Sequence, residues 1–295
     1  MPELPDVAVY VEALRPRVEG KRFRRARVAG PFFLRTYEPP LEECEGKQVT
    51  GVRRVGKRIV LSLEADLFLV FHLMIAGRLH WKEGAAGTGG RNVLATFAFE
   101  SGTLVVTEAG SKKRASLHVV RGVEELRRLD PGGIEPLEAS LDEFRAALLR
   151  ENHTLKRALS DPRLFSGIGN AYSDEILHRA RLSPLGMTRK LGDDEVAGLH
   201  RATREVLNAA LDRLREEAAG GFPEGVTAFR TWMSVHGRYR KTCPVCGSPV
   251  QRIRYAENET NYCPGCQTGG RILADRSLSR LLKDDWPPEA LGPRP

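Results

Sequence analysis

No stretch of the sequence holds the roughly 18 consecutive apolar residues that a transmembrane helix needs. The opening residues, Met1-Pro-Glu-Leu-Pro-Asp-Val7, lack the basic start and the apolar core of a secretory signal peptide. We therefore expect a soluble cytoplasmic protein. With 295 residues and a hydrophobic fraction of 41%, the chain can still form one large or two medium domains with cores of their own.

Cysteine is scarce, and acidic residues are outnumbered. Of the five cysteines, Cys44 stands alone and the other four lie between Cys243 and Cys266. An odd number argues against a disulfide framework, and Cys44 is expected to be an ordinary small residue rather than a nucleophile. The 46 basic and 38 acidic residues give a net charge of +8. This surplus favours a polyanionic partner, most often nucleic acid, although many basic proteins bind none.

Along the chain, a short segment with helical spacing is followed by a series of short β-rich runs and then by helical spacing again. Residues 6–18 have helical spacing and end at Pro16 and Gly20. Residues 21–122 read as an antiparallel sandwich or barrel, and residues 123–142 as a polar linker. Helices follow over 142–217. The predicted strands are Val28–Phe33, Val49–Val55, Arg58–Leu63, Leu67–Leu73, Val93–Phe99, Leu104–Thr107 and Ser116–Val120.

Two CxxC pairs form the strongest motif. They read Cys243-Pro-Val-Cys246 and Cys263-Pro-Gly-Cys266. Each pair can point two thiolates at one ion, so the four sulfurs predict a tetrahedral structural zinc site. The alternative is a pair of redox dithiols, which no thioredoxin-like context supports. Basic residues surround the motif, Arg238 among them. They favour a nucleic-acid grip, with a solvated basic face as the alternative.

Two weaker signals lie elsewhere. Gly167-Ile-Gly169-Asn170 precedes a helical segment, so Asn170 is a candidate N-cap and the helix start could bind phosphate, although the glycines could equally serve packing. Pro2 permits removal of Met1, which would free a secondary amine beside Glu3. Such an amine can form a Schiff base, with Glu3 as a general acid or base. The alternative is that Pro2 only precedes a helix.

Taken in order, these motifs resemble the formamidopyrimidine-DNA glycosylase/endonuclease VIII family. The start Met1-Pro-Glu-Leu4 is similar to the formamidopyrimidine branch, since the other branch usually has glycine at the place of Leu4. Further matches are Gly56-Lys57, Leu155-Lys156, Gly167-Ile-Gly-Asn170 and His236-Gly237-Arg238, followed by the zinc cysteines. The resemblance covers nearly the whole chain.

The resemblance implies an α+β fold. A two-sheet β-sandwich with an N-terminal helix (1–130) would precede a helix-two-turns-helix domain (131–235), a zinc β-hairpin (236–283) and a disordered tail (284–295). It implies a monomeric base-excision-repair glycosylase and AP lyase that flips a damaged nucleotide from DNA held in a basic cleft. Pro2 would be the nucleophile, Glu3 the proton donor, and Lys57 a further active-site residue. The implied DNA contacts are Lys156, Gly167, Gly169, Asn170, Arg238 and Asn258.

The sequence departs from the family pattern in the lesion-reading loops. In His72-Leu-Met-Ile-Ala-Gly77, Ile75 takes the place of the methionine that fills the gap left by a flipped base. Residues 111–116 lack the Arg-Phe pair that reads the opposite base. Asn258 replaces an arginine of the zinc hairpin, and residues 220–227 lack the base-capping pattern. We therefore expect altered lesion or opposite-base preference. An AP lyase without glycosylase activity and a non-catalytic damaged-DNA-binding protein remain open.

Overall fold

The computed structural model describes residues 1–30, 32–226, 230–255 and 258–273. The chain divides into two compact units: residues 1–131 with 209–228, and residues 132–208 with 229–295. No helix within the described ranges is long and apolar enough to span a bilayer. The tail predicted at 284–295 lies outside the described residues.

The first unit begins with helix α1, Leu4–Val18. Glu3 is its N-cap and forms a capping box with Asp6, in which each side chain accepts a hydrogen bond from the backbone N–H of the other residue. Pro5 in the first turn suits the helix because its missing N–H is not needed there. The helix predicted for 6–18 is confirmed and begins two residues earlier.

Two antiparallel four-stranded sheets follow and confirm the predicted sandwich. One has the order β1-β6-β7-β5 and the other β2-β3-β4-β8. The larger hydrophobic core of the unit takes buried residues from both sheets and from α1, including Leu14, Leu69, Phe97 and Leu117. The strands are β1 Phe23–Val28, β2 Val49–Val55, β3 Arg58–Leu63, β4 Leu67–His72, β5 Gly77–Lys82, β6 Val93–Phe99, β7 Gly102–Glu108 and β8 Ser116–Arg121.

Both errors in strand prediction concern the edges of one sheet. The strand predicted at Val28–Phe33 is wrong, since β1 ends at Val28. β5 was not predicted at all. These two strands are the outer strands of their sheet, and edge strands commonly carry charged side chains that interrupt the apolar pattern. β1 reads Phe-Arg-Arg-Ala-Arg-Val, and only its first residue is buried.

Helices and a C-terminal hairpin follow the sandwich in the described part of the chain. The segment predicted as a linker, 123–142, is not wholly irregular, because α2 occupies Val123–Arg128. The division between the two units falls within α6, between residues 208 and 209. The other elements are α3 Leu141–Leu149, α4 Leu155–Ser160, α5 Asn170–Arg179, α6 Asp193–Ala218, β9 Gln251–Tyr255, β10 Asn258–Tyr262 and α7 Pro264–Gln267.

Candidate functional site

Pro2 and Glu3 are both buried at the start of α1, and Glu3 is only 2% exposed. The Glu3 carboxylate accepts the backbone N–H of Asp6, while the backbone N–H of Glu3 donates to Asp6 Oδ2 at 3.0 Å. These bonds hold the carboxylate at a fixed position beside the chain terminus. The terminal amine and the Glu3 carboxylate, which are close in the sequence, are therefore also close in the structure.

The terminal amine lies in an environment that favours its neutral form. In this chain the amine belongs to Met1, and the nitrogen of Pro2 is still part of an amide bond. Burial lowers the pKa of the amine from 8.0. The Glu3 carboxylate raises the pKa, whereas the charges of Arg78 and Lys57 lower it. A neutral amine is the form that attacks an electrophilic carbon.

Lys57 is placed by the hairpin turn between β2 and β3. Val55 pairs with Arg58, so Gly56 and Lys57 are the two turn residues. Gly56 has a φ of 58°, as the first residue of such a turn requires. The Lys57 charge lowers the pKa of the terminal amine and also that of His72. Lys57 therefore lies in the same electrostatic environment as the chain terminus.

Arg78 and His72 belong to this environment and were not among the predicted site residues. Arg78, in β5, donates to the carbonyl oxygens of Gly77, at 2.6 Å, and of Val226. Burial, with the charges of Arg58 and Lys57, lowers the pKa of His72 to about 4, so its imidazole is neutral at physiological pH. Arg78 stands in none of the motifs found in the sequence, and the stretch His72–Gly77 pointed to Ile75 rather than to His72.

The loop between β4 and β5 presents Ile75 to solvent. Its side chain is 54% exposed, although isoleucine is usually buried. The loop closes through a hydrogen bond from Gly77 N–H to the Leu73 carbonyl at 2.9 Å. A Cβ on Gly77 would lie 2.3 Å from that oxygen, so only glycine fits there. Met74 adopts a φ of 51°, in the left-handed region that favours glycine.

We expect Met74→Gly to raise the free energy of unfolding by about 0.5–1 kcal/mol. A non-glycine residue in the left-handed region costs roughly 1–2 kcal/mol, and the greater entropy of glycine in the unfolded chain offsets part of the gain from removing that cost. Urea denaturation would measure the change. Met187→Gly is the matched control, since Met187 has a φ of −90° and should lose stability. A loss of stability in Met74→Gly would show that side-chain packing outweighs the backbone strain.

The β7–β8 connection carries the residues that replace the Arg-Phe pair. Glu108 is buried, and its carboxylate accepts the N–H groups of Arg114, at 2.8 Å, and Ala115, at 3.0 Å. The Lys113 ammonium donates to the Glu108 carbonyl and to Asn92 Oδ1. The loop is therefore held by internal hydrogen bonds and exposes Lys112.

In the second unit, Gly167 and Gly169 are buried just before α5. Gly167 has a φ of 78°, and Gly169 is the N-cap of the helix. The prediction of Asn170 as N-cap was wrong by one residue. Glycine can take the cap position without a side chain, so Asn170 becomes the first helical residue, and its Nδ2 donates to the Glu259 carbonyl at 2.9 Å.

Lys156 lies in a buried ion pair. Its ammonium binds the Asp174 carboxylate and donates to the Asn170 carbonyl at 2.6 Å. The second carboxylate oxygen of Asp174 contacts His236 Nδ1 at 2.8 Å and accepts the Asn261 N–H at 3.2 Å. The Lys156 ammonium is therefore paired within the second unit. Through Asp174, this ion pair connects α4 and α5 to the zinc hairpin.

The next residue of α5, Glu175, holds the segment before the hairpin. Its carboxylate accepts the N–H groups of Ser234, Val235 and His236 at 2.8–2.9 Å. Arg238 donates to the Thr231 and Thr242 carbonyls at 3.3 Å. Asn258 begins β10 and pairs with Tyr255 through the backbone, but its side chain lies outside the described part of the structure.

The two CxxC pairs form turns that bring their sulfurs together. The Cys243 N–H donates to the Ser248 carbonyl at 2.9 Å, and the Gly247 N–H donates to the Cys243 carbonyl at 3.1 Å. Sulfur–sulfur distances are 3.3 Å for Cys246–Cys263 and 3.9 Å for Cys243–Cys266. A tetrahedral zinc with Zn–S bonds of about 2.3 Å needs sulfurs about 3.8 Å apart, so the set fits this ion.

A fifth donor, His178, was missed by the sequence analysis. Its Nε2 lies 3.3 Å from Cys243 Sγ, and the donor atoms of His178, Cys243, Cys263 and Cys266 all lie within 4.8 Å of one another. Burial and Arg181 lower the pKa of this imidazole, which favours the neutral form that binds metals. One structural zinc ion can therefore be held here.

Comparisons with known proteins agree with this arrangement. Residues 1–116 match the formamidopyrimidine-DNA glycosylase N-terminal domain, residues 133–218 its H2TH domain, and residues 240–269 the zinc finger found in FPG and IleRS. The formamidopyrimidine-DNA glycosylase of Thermus thermophilus is 34% identical in an alignment 284 residues long, which covers 92% of this chain and 100% of the relative.

Solved structures of related proteins share the fold. The crystal structure of MutM (Fpg) from Thermus thermophilus has a TM-score of 0.76 at 34% identity, over 90% of this chain and 98% of that one. Lactococcus lactis Fpg, bound non-covalently to DNA that contains an abasic site, has a TM-score of 0.77 at 26% identity, over 90% and 99%. The chain therefore belongs to the formamidopyrimidine-DNA glycosylase family of DNA glycosylases.

Proposed function

We propose that this protein is a bifunctional glycosylase and AP lyase that uses the amine of Pro2 after removal of Met1. The observation that carries the proposal is that Pro2 and the fixed Glu3 carboxylate are both buried at the chain terminus, where burial also lowers the pKa of the terminal amine. Removal of one residue would expose a secondary amine next to the same carboxylate. Burial first, and then the charges of Arg78 and Lys57, lower the pKa of such an amine and favour its neutral, nucleophilic form.

The proposed reaction uses these groups. The lone pair of the Pro2 nitrogen attacks C1′ of the damaged nucleotide, and the bond from C1′ to the base breaks as the base leaves and takes a proton from water. The Glu3 carboxylate takes the proton that the attacking amine gives up and passes it to the ring oxygen of the sugar, so the ring opens to an iminium linkage. Loss of a C2′ proton then expels the 3′ phosphate by β-elimination, and a second elimination expels the 5′ phosphate. Hydrolysis finally returns the free amine.

DNA is the proposed partner. The net charge of +8 and the DNA-bound relatives support this assignment. We infer that Lys57 contacts backbone phosphate, and that Asn170, Gly167 and Gly169 offer phosphate the start of α5. We infer that Lys156 supports that helix start through its bonds to Asn170 and Asp174 rather than by contacting DNA itself. Arg238 and Asn258 are proposed contacts of the zinc hairpin. Affinity should fall steeply with salt.

A lyase restricted to abasic sites is the second candidate. Residues 220–226 are packed within the first unit and carry none of the base-capping pattern. The Phe222 ring lies 5.7 Å from the Tyr10 ring, Glu224 pairs with His80, and Val226 is buried in the core. A segment fixed in this way is not available to cover a flipped base, whereas an abasic site needs no such cover.

Borohydride trapping separates the candidates. Protein without Met1, verified by intact mass, would be incubated with DNA carrying one defined oxidised base or an abasic site and then reduced. We expect a covalent adduct at damaged bases and at the abasic site, with the modified residue identified as Pro2 by peptide mapping. Protein that retains Met1 is the control. Trapping at the abasic site alone would leave the lyase, and DNA binding without any adduct would leave a non-catalytic protein.

A further inference from the structure

The zinc site offers more donors than a tetrahedral ion can bind. Cys243, Cys246, Cys263 and Cys266 supply four sulfurs, and His178 supplies an imidazole nitrogen 3.3 Å from Cys243 Sγ. Structural zinc takes four ligands at about 2.0–2.3 Å. One of the five donors must therefore stay outside the coordination sphere at any time.

His178 lies on the buried side of the site. It is the last but one residue of α5 and is 6% exposed. A surface cavity is lined by both His178 and Cys266, so the imidazole and this thiol border the same open space. The nitrogen of His178 forms a compact donor group with Cys243, Cys263 and Cys266, all within 4.8 Å.

Cys246 is the donor on the solvent side. It is exposed, whereas Cys243 and Cys263 are 1% and 0% exposed. Its sulfur is fitted closely into the turn, since a Cβ on Gly265 would lie 2.9 Å from Cys246 Sγ. Of the four thiols it is the one that a reagent in solution reaches first.

We propose that His178 is an alternate fourth zinc ligand. Cys243, Cys263 and Cys266 are common to both coordination sets, and Cys246 and His178 exchange for the remaining position. With Cys246 bound, the His178 nitrogen stays beside the Cys243 sulfur. When the Cys246 thiolate is lost, the imidazole completes a Cys3His set, and the ion then connects the zinc hairpin directly to α5. Both sets are established types of structural zinc site.

A double-mutant cycle on the full chain tests this without DNA. Zinc content and the rate of zinc release to a chelator would be measured for the wild type, Cys246→Ser, His178→Phe and the double variant. We expect one zinc per chain in both single variants and a loss of at least about tenfold in zinc affinity only when both donors are gone. Cys243→Ser, which removes a shared ligand, is the control that loses zinc with His178 intact.

Cobalt substitution shows how many sulfur atoms bind the metal. Cys246→Ser should show thiolate-to-cobalt absorption in proportion to three sulfurs rather than four, while His178→Phe should keep the four-sulfur spectrum. Circular dichroism of the His178→Phe variant checks that the fold tolerates the larger ring. The proposal is overturned if Cys246→Ser loses zinc as Cys243→Ser does, if the double variant binds zinc as well as Cys246→Ser, or if a folded His178→Phe alone loses zinc.

Discussion

Glu3→Gln is expected to slow base excision by a factor on the order of 10²–10⁴ while DNA affinity changes little, because proton transfer by a positioned acid contributes about that much to a rate. Glutamine keeps an oxygen that can accept the Asp6 N–H, so α1 should still begin at Leu4. Single-turnover excision on a lesion that the wild type processes, at saturating enzyme, measures the chemical step alone.

The matched control is Glu12→Gln on the same helix. Glu12 forms an ion pair with Arg215, at 2.8 Å, and its side chain is 39% exposed. Breaking an exposed pair of this kind costs about 0–1 kcal/mol of stability and should leave excision unchanged. An excision rate for Glu3→Gln within about tenfold of the wild type would remove Glu3 from the proposed role.

The pH profile of Glu3→Gln gives a second readout. Attack requires the neutral amine, so the rate should rise with pH until the pH exceeds the pKa of the amine. The Glu3 charge raises that pKa, so its removal should move the rising limb to lower pH. A purely structural loss of activity would lower the whole profile and leave the limb where it is.

How much of the fold could be predicted from the sequence differs between the central strands and the edge strands. β2, β3 and β6 were predicted with the bounds that the structure gives them, because each is a short run rich in β-forming residues that turn residues separate from its neighbours. The edge strands β1 and β5 were missed, since one side of each needs no partner and tolerates charge. Runs of apolar residues indicate buried strands, and this signal weakens at the exposed edges of a sheet.

The candidate site shows the same limit. The zinc cysteines form two CxxC pairs, and this spacing identified them as metal ligands in the sequence itself. His178 has no such spacing, because it comes from a helix remote in sequence and reaches the cysteines only through the packing of α5 beside the hairpin. Arg78 likewise gains its place beside the terminal amine from the pairing of β5 with β7. Such residues become visible only when the strands and helices are assembled.

Removal of zinc is expected to unfold the hairpin and leave the sandwich intact. Structural zinc sites contribute about 10–16 kcal/mol of apparent binding free energy, which is available only to the folded hairpin. The apolar cluster that contains the zinc ligands is small, since its buried residues are Val235, Val250, Cys243 and Cys263, with Cys266 packed against them. Cys243→Ser or chelation should therefore abolish hydrogen-exchange protection in β9 and β10, with protection in β3, β4 and β6 unchanged.

The control for this experiment is Cys44→Ala, which removes a buried cysteine of the first unit that lies far from the zinc ligands in sequence. It should keep one zinc per chain and full protection of β9 and β10.

The hairpin also holds the start of α5, through Asn170 with Glu259 and Asp174 with Asn261. Loss of zinc should therefore loosen the first turn of α5 and reduce DNA affinity by at least about tenfold, because the phosphate-binding helix start then loses its support. A chelated protein with protected β9 and β10 amides would show that the hydrogen bonds from Asp174, Glu175 and Asn170 hold the hairpin without the metal.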